Sequence, residues 1–225
     1  MASVEQILGH ILDRAVLEGY LTPLAASEGP AHSAGFLGFR DLNLPCLPIS
    51  DSALAVDLGT GGGLPGLVLA ATTPWRWLLV DRRDRRVVFL RWAVRQLGIE
   101  GRVQVVLSDA ADVGRGGSRG MASLVTARGF APPGPTAECA APLLAEHGVL
   151  VVSEPPTNCA VRWLEDGLCS LGLRDVGGWA TDELPGSANY RAMVRVEPCS
   201  DRFPRRFPWR VLSWFQRRSH PQRMP

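Results

Sequence analysis

The 225-residue chain contains no lysine; all 24 of its basic residues are arginine. The Gly-Lys-Ser/Thr end of a Walker phosphate loop is therefore excluded. No apolar run approaches the roughly 18 residues of a membrane span. The first residues, MASVEQILGHILD, lack the basic start and long apolar stretch of a secretory signal. A cytoplasmic protein without membrane association is expected. The five cysteines (Cys46, Cys139, Cys159, Cys169, Cys199) are scattered, with no Cys-x-x-Cys pair, and the four histidines are equally dispersed. An odd count without metal-type spacing reads as reduced thiols, mostly core residues, so neither a metal site nor a disulfide framework is expected. There is no internal repeat and no second core, and the length suits one domain.

What is present is unevenly distributed. Residues 202–225 carry seven arginines and no acid, leaving 17 basic against 22 acidic groups in the rest, a net −5. An acidic body thus bears a cationic tail, a pattern able to dock on nucleic acid. Within that tail FPRRFPWR (203–210) interleaves three aromatic rings with three arginines. Arginine pairs with phosphate bidentately and rings stack on unpaired bases. The other reading is that Phe203, Phe207, Trp209, Val211, Leu212, Trp214 and Phe215 fold back on the body while the arginines stay solvated. Both stand at this point.

Residues 3–21 show helical spacing, with Val4, Ile7, Leu8, Ile11, Leu12, Ala15 and Val16 on one face and Ser3 as cap. Residues 22–52, rich in Pro, Gly and Ser, have no clear period and read as a long, partly ordered connection. A regular alternation then begins. Strands are predicted at 53–58, 77–81, 103–107, 121–127 and 148–154, with helices over 65–72, 83–98, 136–146 and around 159–171. A Gly-rich surface loop covers 114–120. Two terminal strands near 173–179 and 190–196, joined by ATDELPGSA, form a hairpin that adds one antiparallel strand. The fold class is α/β, with a seven-stranded, mostly parallel sheet covered on both faces. The chain divides into an N-terminal helix and connection (1–52), a sheet domain (53–200) and a basic aromatic tail (201–225).

The first strand runs into AVDLGTGGGLPGLVLA (55–70), which places five glycines between Gly59 and Gly66. In an open α/β sheet the ligand lies beyond the carboxyl ends of the strands, beside the first one. A dinucleotide loop needs Gly-x-Gly-x-x-Gly, but Leu64 occupies the place of the third glycine. The pattern here is Asp-x-Gly-x-Gly-x-Gly. The Asp57 carboxylate argues against a pyrophosphate and for a cationic ligand such as S-adenosylmethionine. Asp81, ending the second strand, suits a pair of ribose hydroxyls.

VDLGTGGGLPGLVLA, LLVDRRDRRVVFLR and VTARGFA together resemble the bacterial small-subunit (16S) ribosomal RNA guanine-N7 methyltransferases, the RsmG or GidB proteins. The matching residues are Asp57 to Gly66, Asp81 with Arg85, Arg86, Phe89 and Leu90, and Thr126 with Arg128. HILD (10–13) and RFPRRFP (202–208) are similar to the family's amino-terminal helix and C-terminal Tyr-Pro-Arg-Arg segment. The resemblance implies a Rossmann-like class I S-adenosylmethionine-dependent methyltransferase, acting on ribosomal RNA or the small ribosomal subunit; a monomer is expected. It implies that Asp57, Gly59, Gly61, Leu64, Asp81, Ala110, Ala111 and Arg128 hold S-adenosylmethionine. Leu64 would begin the helix facing the cofactor, and Ala110 and Ala111 would lie along the adenine. RNA would be met by Arg128, Arg202, Arg205 and Arg206. No catalytic side chain is named, because guanine N7 has a free lone pair and no proton to lose; alignment suffices.

The departures concern the substrate side. Residues 153–156 read SEPP where the family has Lys-Gly, so Glu154 replaces a cation with an anion and is expected to repel a phosphate. SDAAD (108–112) stands where an Arg and a Glu are typical, and Arg14 follows HILD in place of Ser. Two alternatives stay open: a divergent methyltransferase of another, small-molecule substrate, and a non-catalytic protein of the same fold that binds RNA or a partner.

Overall fold

The computed structural model describes residues 2–42, 50–155, 162–181 and 188–206. Its centre is a seven-stranded sheet: β1 (Leu54–Leu58), β2 (Arg76–Asp81), β3 (Val103–Leu107), β4 (Ala122–Ala127), β5 (Leu144–Glu154), β6 (Leu173–Thr181) and β7 (Ala188–Arg195). The spatial order is β3-β2-β1-β4-β5-β7-β6. Only β7 runs against its neighbours. The order reverses beside β1, which pairs with β2 and β4, and this opens a crevice at its carboxyl end. Strands buried on both faces must read as nearly unbroken apolar runs. LAVDL and RWLLVD do so, and Ala55 and Val56 point into different cores.

One core lies under α3 (Gly66–Thr72) and α4 (Asp84–Leu97), and holds Trp75, Trp77, Phe89 and Leu90. The other lies under α5 (Ala110–Arg115), α6 (Pro133–Ala140) and α7 (Glu165–Cys169). The helix expected over 136–146 sits at Pro133–Ala140 instead, because β5 already begins at Leu144. The linker of the terminal hairpin, and the start of the helix expected at 159–171, lie outside the described residues.

α1 (Val4–Leu17) is closed at its amino end by Ser3, whose hydroxyl accepts from the Gln6 amide while the Gln6 side chain accepts from the Ser3 amide. It packs on α4, with Arg14 over the Trp92 ring at 4.3 Å and Tyr20 against Phe89 at 5.3 Å.

The stretch read as a connection is largely helical. α2 (Pro23–Gly35) starts behind a Thr22 cap with Pro23 in its first turn, and a 3-10 helix follows over Phe36–Asp41. Residues 43–49 lie outside the described part. α2 lacks an apolar stripe because it docks through small residues. A Cβ on Gly29 would come within 2.7 Å of Leu64, one on Gly35 within 2.3 Å of Tyr190, and, in the 3-10 helix that follows, one on Gly38 within 2.4 Å of Trp179. Those rings then donate to its carbonyls, Tyr190 to His32 and Trp179 to Gly35, both at 2.8 Å.

The start of the tail belongs to the body. Phe203 is 1% exposed, and Arg119 donates to the carbonyls of Phe203 (2.7 Å) and Cys199 (2.9 Å). Arg115 donates to that of Pro204 at 3.0 Å. Arg205, expected to meet RNA, instead grips the buried Glu138 carboxylate through its guanidinium and its amide. Its charge serves the fold, since a buried carboxylate demands a hydrogen-bonded partner. Arg202 lies exposed over the Phe203 ring at 4.7 Å. The remaining tail residues of the sequence reading, from Phe207 onward, lie outside the described residues. Among the described residues no helix is long and apolar enough to cross a membrane.

Arg205→Ala strands Glu138 and is expected to cost about 3–5 kcal/mol in urea denaturation. Arg202→Ala is expected to cost less than about 1 kcal/mol. Equal effects of the two changes would remove Arg205 from the fold's supports.

Candidate functional site

The crevice beside β1 is organised by two aspartates. Asp57 is fully buried. One of its oxygens accepts from the Thr126 hydroxyl on β4 at 2.7 Å, the other from the Gly66 amide at the start of α3 at 3.2 Å. A Cβ on Gly66 would fall 2.4 Å from that carboxylate, so only glycine lets the helix end approach. Burial pushes Asp57 up to about 6, and the hydrogen bonds from Thr126 and Gly66 hold it from rising further. Both oxygens face inward: Asp57 shapes the loop rather than reaching into the crevice.

Asp81 ties the loop from the other side. It accepts from the Gly61 amide at 2.9 Å and the Arg83 amide at 2.8 Å, and Arg86 stands 3.6 Å away. The Gly59 and Thr60 amides donate to the Val80 carbonyl at 2.9 and 3.0 Å. Gly59 (φ 72°) and Gly61 (φ 60°) adopt left-handed backbone that side chains disfavour. A Cβ at Gly59 would also strike the Phe130 ring at 2.8 Å, whereas one at Gly61 would meet only the Gly59 carbonyl, at 3.7 Å. The loop therefore presents its backbone at Gly61 to open space. Each Asp81 oxygen keeps a lone pair beyond the amide it already accepts.

A cleft of about 790 Å³ opens here, walled by Gly59, Asp81, Ser108, Ala110 and Phe130. Ala110 and Ala111 begin α5, both buried, behind the Asp109 cap that accepts from the Ala111 amide at 2.9 Å. The opposite wall is Glu18, Gly19 and Tyr20, just past α1, which sequence reasoning missed. Only the docking of α1 on α4 brings them there, and no local pattern announces it. Leu64 turns away. The helix starts at Gly66, and the Leu64 side chain packs with Leu8, Leu12, Ala26 and Val68. Arg82, Arg83 and Arg85 stand exposed on the cleft's rim. The cleft's room and the remaining acceptor capacity of Asp81 fit a nucleoside.

Across Gly129–Phe130–Ala131 lies a second cavity of about 360 Å³, lined by Arg128, Thr136, Glu154 and Trp163 among others. Arg128 thus borders this cavity rather than the cleft. Glu154 does not stand as a bare anion: Arg162 pairs with one oxygen at 2.7 Å, and the Trp163 indole donates to the other at 2.6 Å. The expected repulsion of phosphate is corrected by that pairing, which the sequence did not disclose.

Beside Arg128 sits His32, held down to about 4 by burial and by the Arg128 charge. Burial lowers the Arg128 guanidinium in turn, while Tyr190, Asp57 and Glu28 oppose that shift. Asp57 and His32 therefore act on stability with opposite signs. The raised acid stabilises the fold below its ordinary 3.8 and loses that contribution as pH climbs to about 6. The depressed base stabilises it above its ordinary 6.5 and loses that contribution as pH falls to about 4. Between about pH 4 and 6 the two slopes oppose. Relative to the unaltered protein, His32→Gln should make stability fall more steeply with rising pH in that window, and Asp57→Asn should make it rise. Urea titrations at pH 4.5 and 6 check both signs.

The model of the GidB family, rRNA small subunit methyltransferase G, matches residues 43–154. The ribosomal RNA small subunit methyltransferase G of Kineococcus radiotolerans is 33% identical over 209 residues, covering 86% of this chain and 78% of that protein. Its namesake from Moorella thermoacetica is 29% identical over 170 residues, 71% of this chain and 68% of the other. Among solved structures, an O-methyltransferase from Bacillus cereus in complex with SAH superposes with a TM-score of 0.61 at 12% identity, covering 84% of this chain and 90% of the other. At that identity the likeness shows the fold, which is the Rossmann-like fold of class I methyltransferases.

Proposed function

Because the chain belongs to the ribosomal RNA small subunit methyltransferase G family and is an S-adenosylmethionine-dependent methyltransferase, we propose that it methylates N7 of a guanine in 16S ribosomal RNA. The observation that carries this reading is the open backbone at Gly61 above a paired Asp81, beside a second cavity bordered by Arg128. In it, Gly59 and Gly61 pass the methionine part of the cofactor and Asp81 accepts from its ribose hydroxyls. Ala110 and Ala111 flank the adenine, and Asp57 fixes the loop. Leu64 contributes through its backbone alone.

S-adenosylmethionine, when bound, supplies a methyl group activated by its sulfonium. Guanine N7 offers a lone pair and carries no proton, so the chain needs no general base. Its work is to hold the base in line and to exclude water. Phosphates are met by Arg128 at the second cavity and by Arg82, Arg83 and Arg85 on the rim. Arg205, committed to Glu138, is withdrawn from that role.

Incorporation of labelled methyl groups into small subunits from a strain lacking the protein tests the substrate. Recovery of 7-methylguanosine from their 16S RNA is expected, and its absence overturns the reading. Gly61→Val should abolish S-adenosylmethionine binding in calorimetry, since a side chain fills the space over the loop. Asp81→Ala should weaken it by about 1–3 kcal/mol. Replacing Arg82, Arg83 and Arg85 together by Gln should flatten the salt dependence of RNA binding, because fewer counterions are released.

A further inference from the structure

The second cavity has the chemistry of a purine pocket. It adjoins the cleft through the shared wall Gly129–Phe130–Ala131, whereas Glu154, Arg162 and Trp163 border it alone. Bases taken out of a helix are read by hydrogen bonds to their Watson–Crick edge and by stacking between aromatic or apolar side chains. Phe130 and Trp163 supply rings. Glu154 supplies an acceptor of defined position, because Arg162 and the Trp163 indole each donate to a different one of its oxygens. A carboxylate oxygen has two lone pairs, so each retains one after these bonds.

We propose that this cavity receives the flipped-out target guanine, with the Glu154 carboxylate accepting from its N1–H and exocyclic N2–H. The proposal rests on the substrate reading given above. Only guanine among the common bases presents two adjacent donors to a carboxylate; adenine presents an acceptor at N1. With that edge on Glu154, N7 lies on the far side of the purine ring, away from the carboxylate. Methylation at N7 leaves the purine cationic and its N1–H more acidic, so the bond to Glu154 tightens as the reaction proceeds. An interaction that strengthens toward the transition state accelerates the chemical step rather than merely binding. Glu154, an anion beside a polyanionic substrate, thus becomes a means of recognition instead of an obstacle.

The test titrates guanosine, inosine and adenosine 5′-monophosphates into the full protein saturated with S-adenosylhomocysteine, and follows methylation of small subunits in parallel. The order guanosine over inosine over adenosine is expected, because inosine lacks the N2 donor. Glu154→Gln should reduce the guanosine preference by about tenfold, the value of one hydrogen bond to a charged group. It should lower kcat on small subunits more than it raises KM, with S-adenosylmethionine affinity unchanged. Trp163→Phe keeps the ring and deletes one donor to Glu154, and should show the same loss in smaller measure if Glu154→Gln fails to fold. Equal binding of the three nucleotides, no measurable guanosine titration, or an unaltered preference in both variants overturns the pocket. Should small subunits prove not to be methylated while the guanosine preference still depends on Glu154, the substrate reading falls and the pocket stands.

Discussion

A buried carboxylate anchors this molecule. Asp57, next to last in β1, accepts from Thr126 on β4 and from the first amide of α3. Three elements from separate parts of the chain meet on two oxygen atoms, and the glycine at position 66 exists to let them meet. Once that junction closes, the segment from Leu58 to Pro65 has no freedom to wander, and the Asp81 hydrogen bond to Gly61 sets its last degree of freedom. The cleft is the space left over. Burying such a group is costly, as its raised pKa records, and the cost is met because the geometry of the loop depends on it.

One wall of the cleft comes from outside the alternating strands and helices. α1 and α2 pack as an added layer whose small residues accept the rings of the β6–β7 pair, and that layer delivers Tyr20 to the cleft and His32 to Arg128. On the other face, the strap from Cys199 to Arg205 is drawn down by Arg115, Arg119 and Glu138 onto α5 and α6. α5 carries Ala110 and Ala111, so the strap and the cleft share a support. Arrangements of this kind make the site sensitive to distant changes through packing alone.

Arginine performs very different tasks in this lysine-free chain. Arg102, Arg115 and Arg119 spend their charge on backbone carbonyls. Arg162 and Arg205 balance buried or nearly buried carboxylates. Arg82, Arg83 and Arg85 stay at the solvent edge of the cleft. The planar fork of the guanidinium suits the first two tasks because it can satisfy several acceptors at once. Net charge alone says nothing about which arginine is available to a polyanion.

Much of the architecture was legible in the chain. Apolar runs of strand length, separated by helical periods, fix seven strands with one antiparallel addition, since strand burial on two faces admits few other sequences. The motif Asp57 to Gly66 and the acid at position 81 mark the crevice, because backbone angles and close approach there admit little but glycine and a carboxylate. The helix α2 escaped notice because its stabilisation comes from Tyr190, Trp179 and Leu64, residues distant in sequence, and its own small residues carry no period. The roles of Arg205 and Glu154 escaped for a related reason. A charge declares its sign in the sequence, but its partner is chosen by the fold, and Glu138, Arg162 and Trp163 become neighbours only when the chain has closed. The sequence by itself determined the sheet, its crevice and the chemistry of the loop, which are set by local sterics and burial. Tertiary structure decided which charges remain free and what encloses the site, because those depend on contacts between segments that no local pattern encodes.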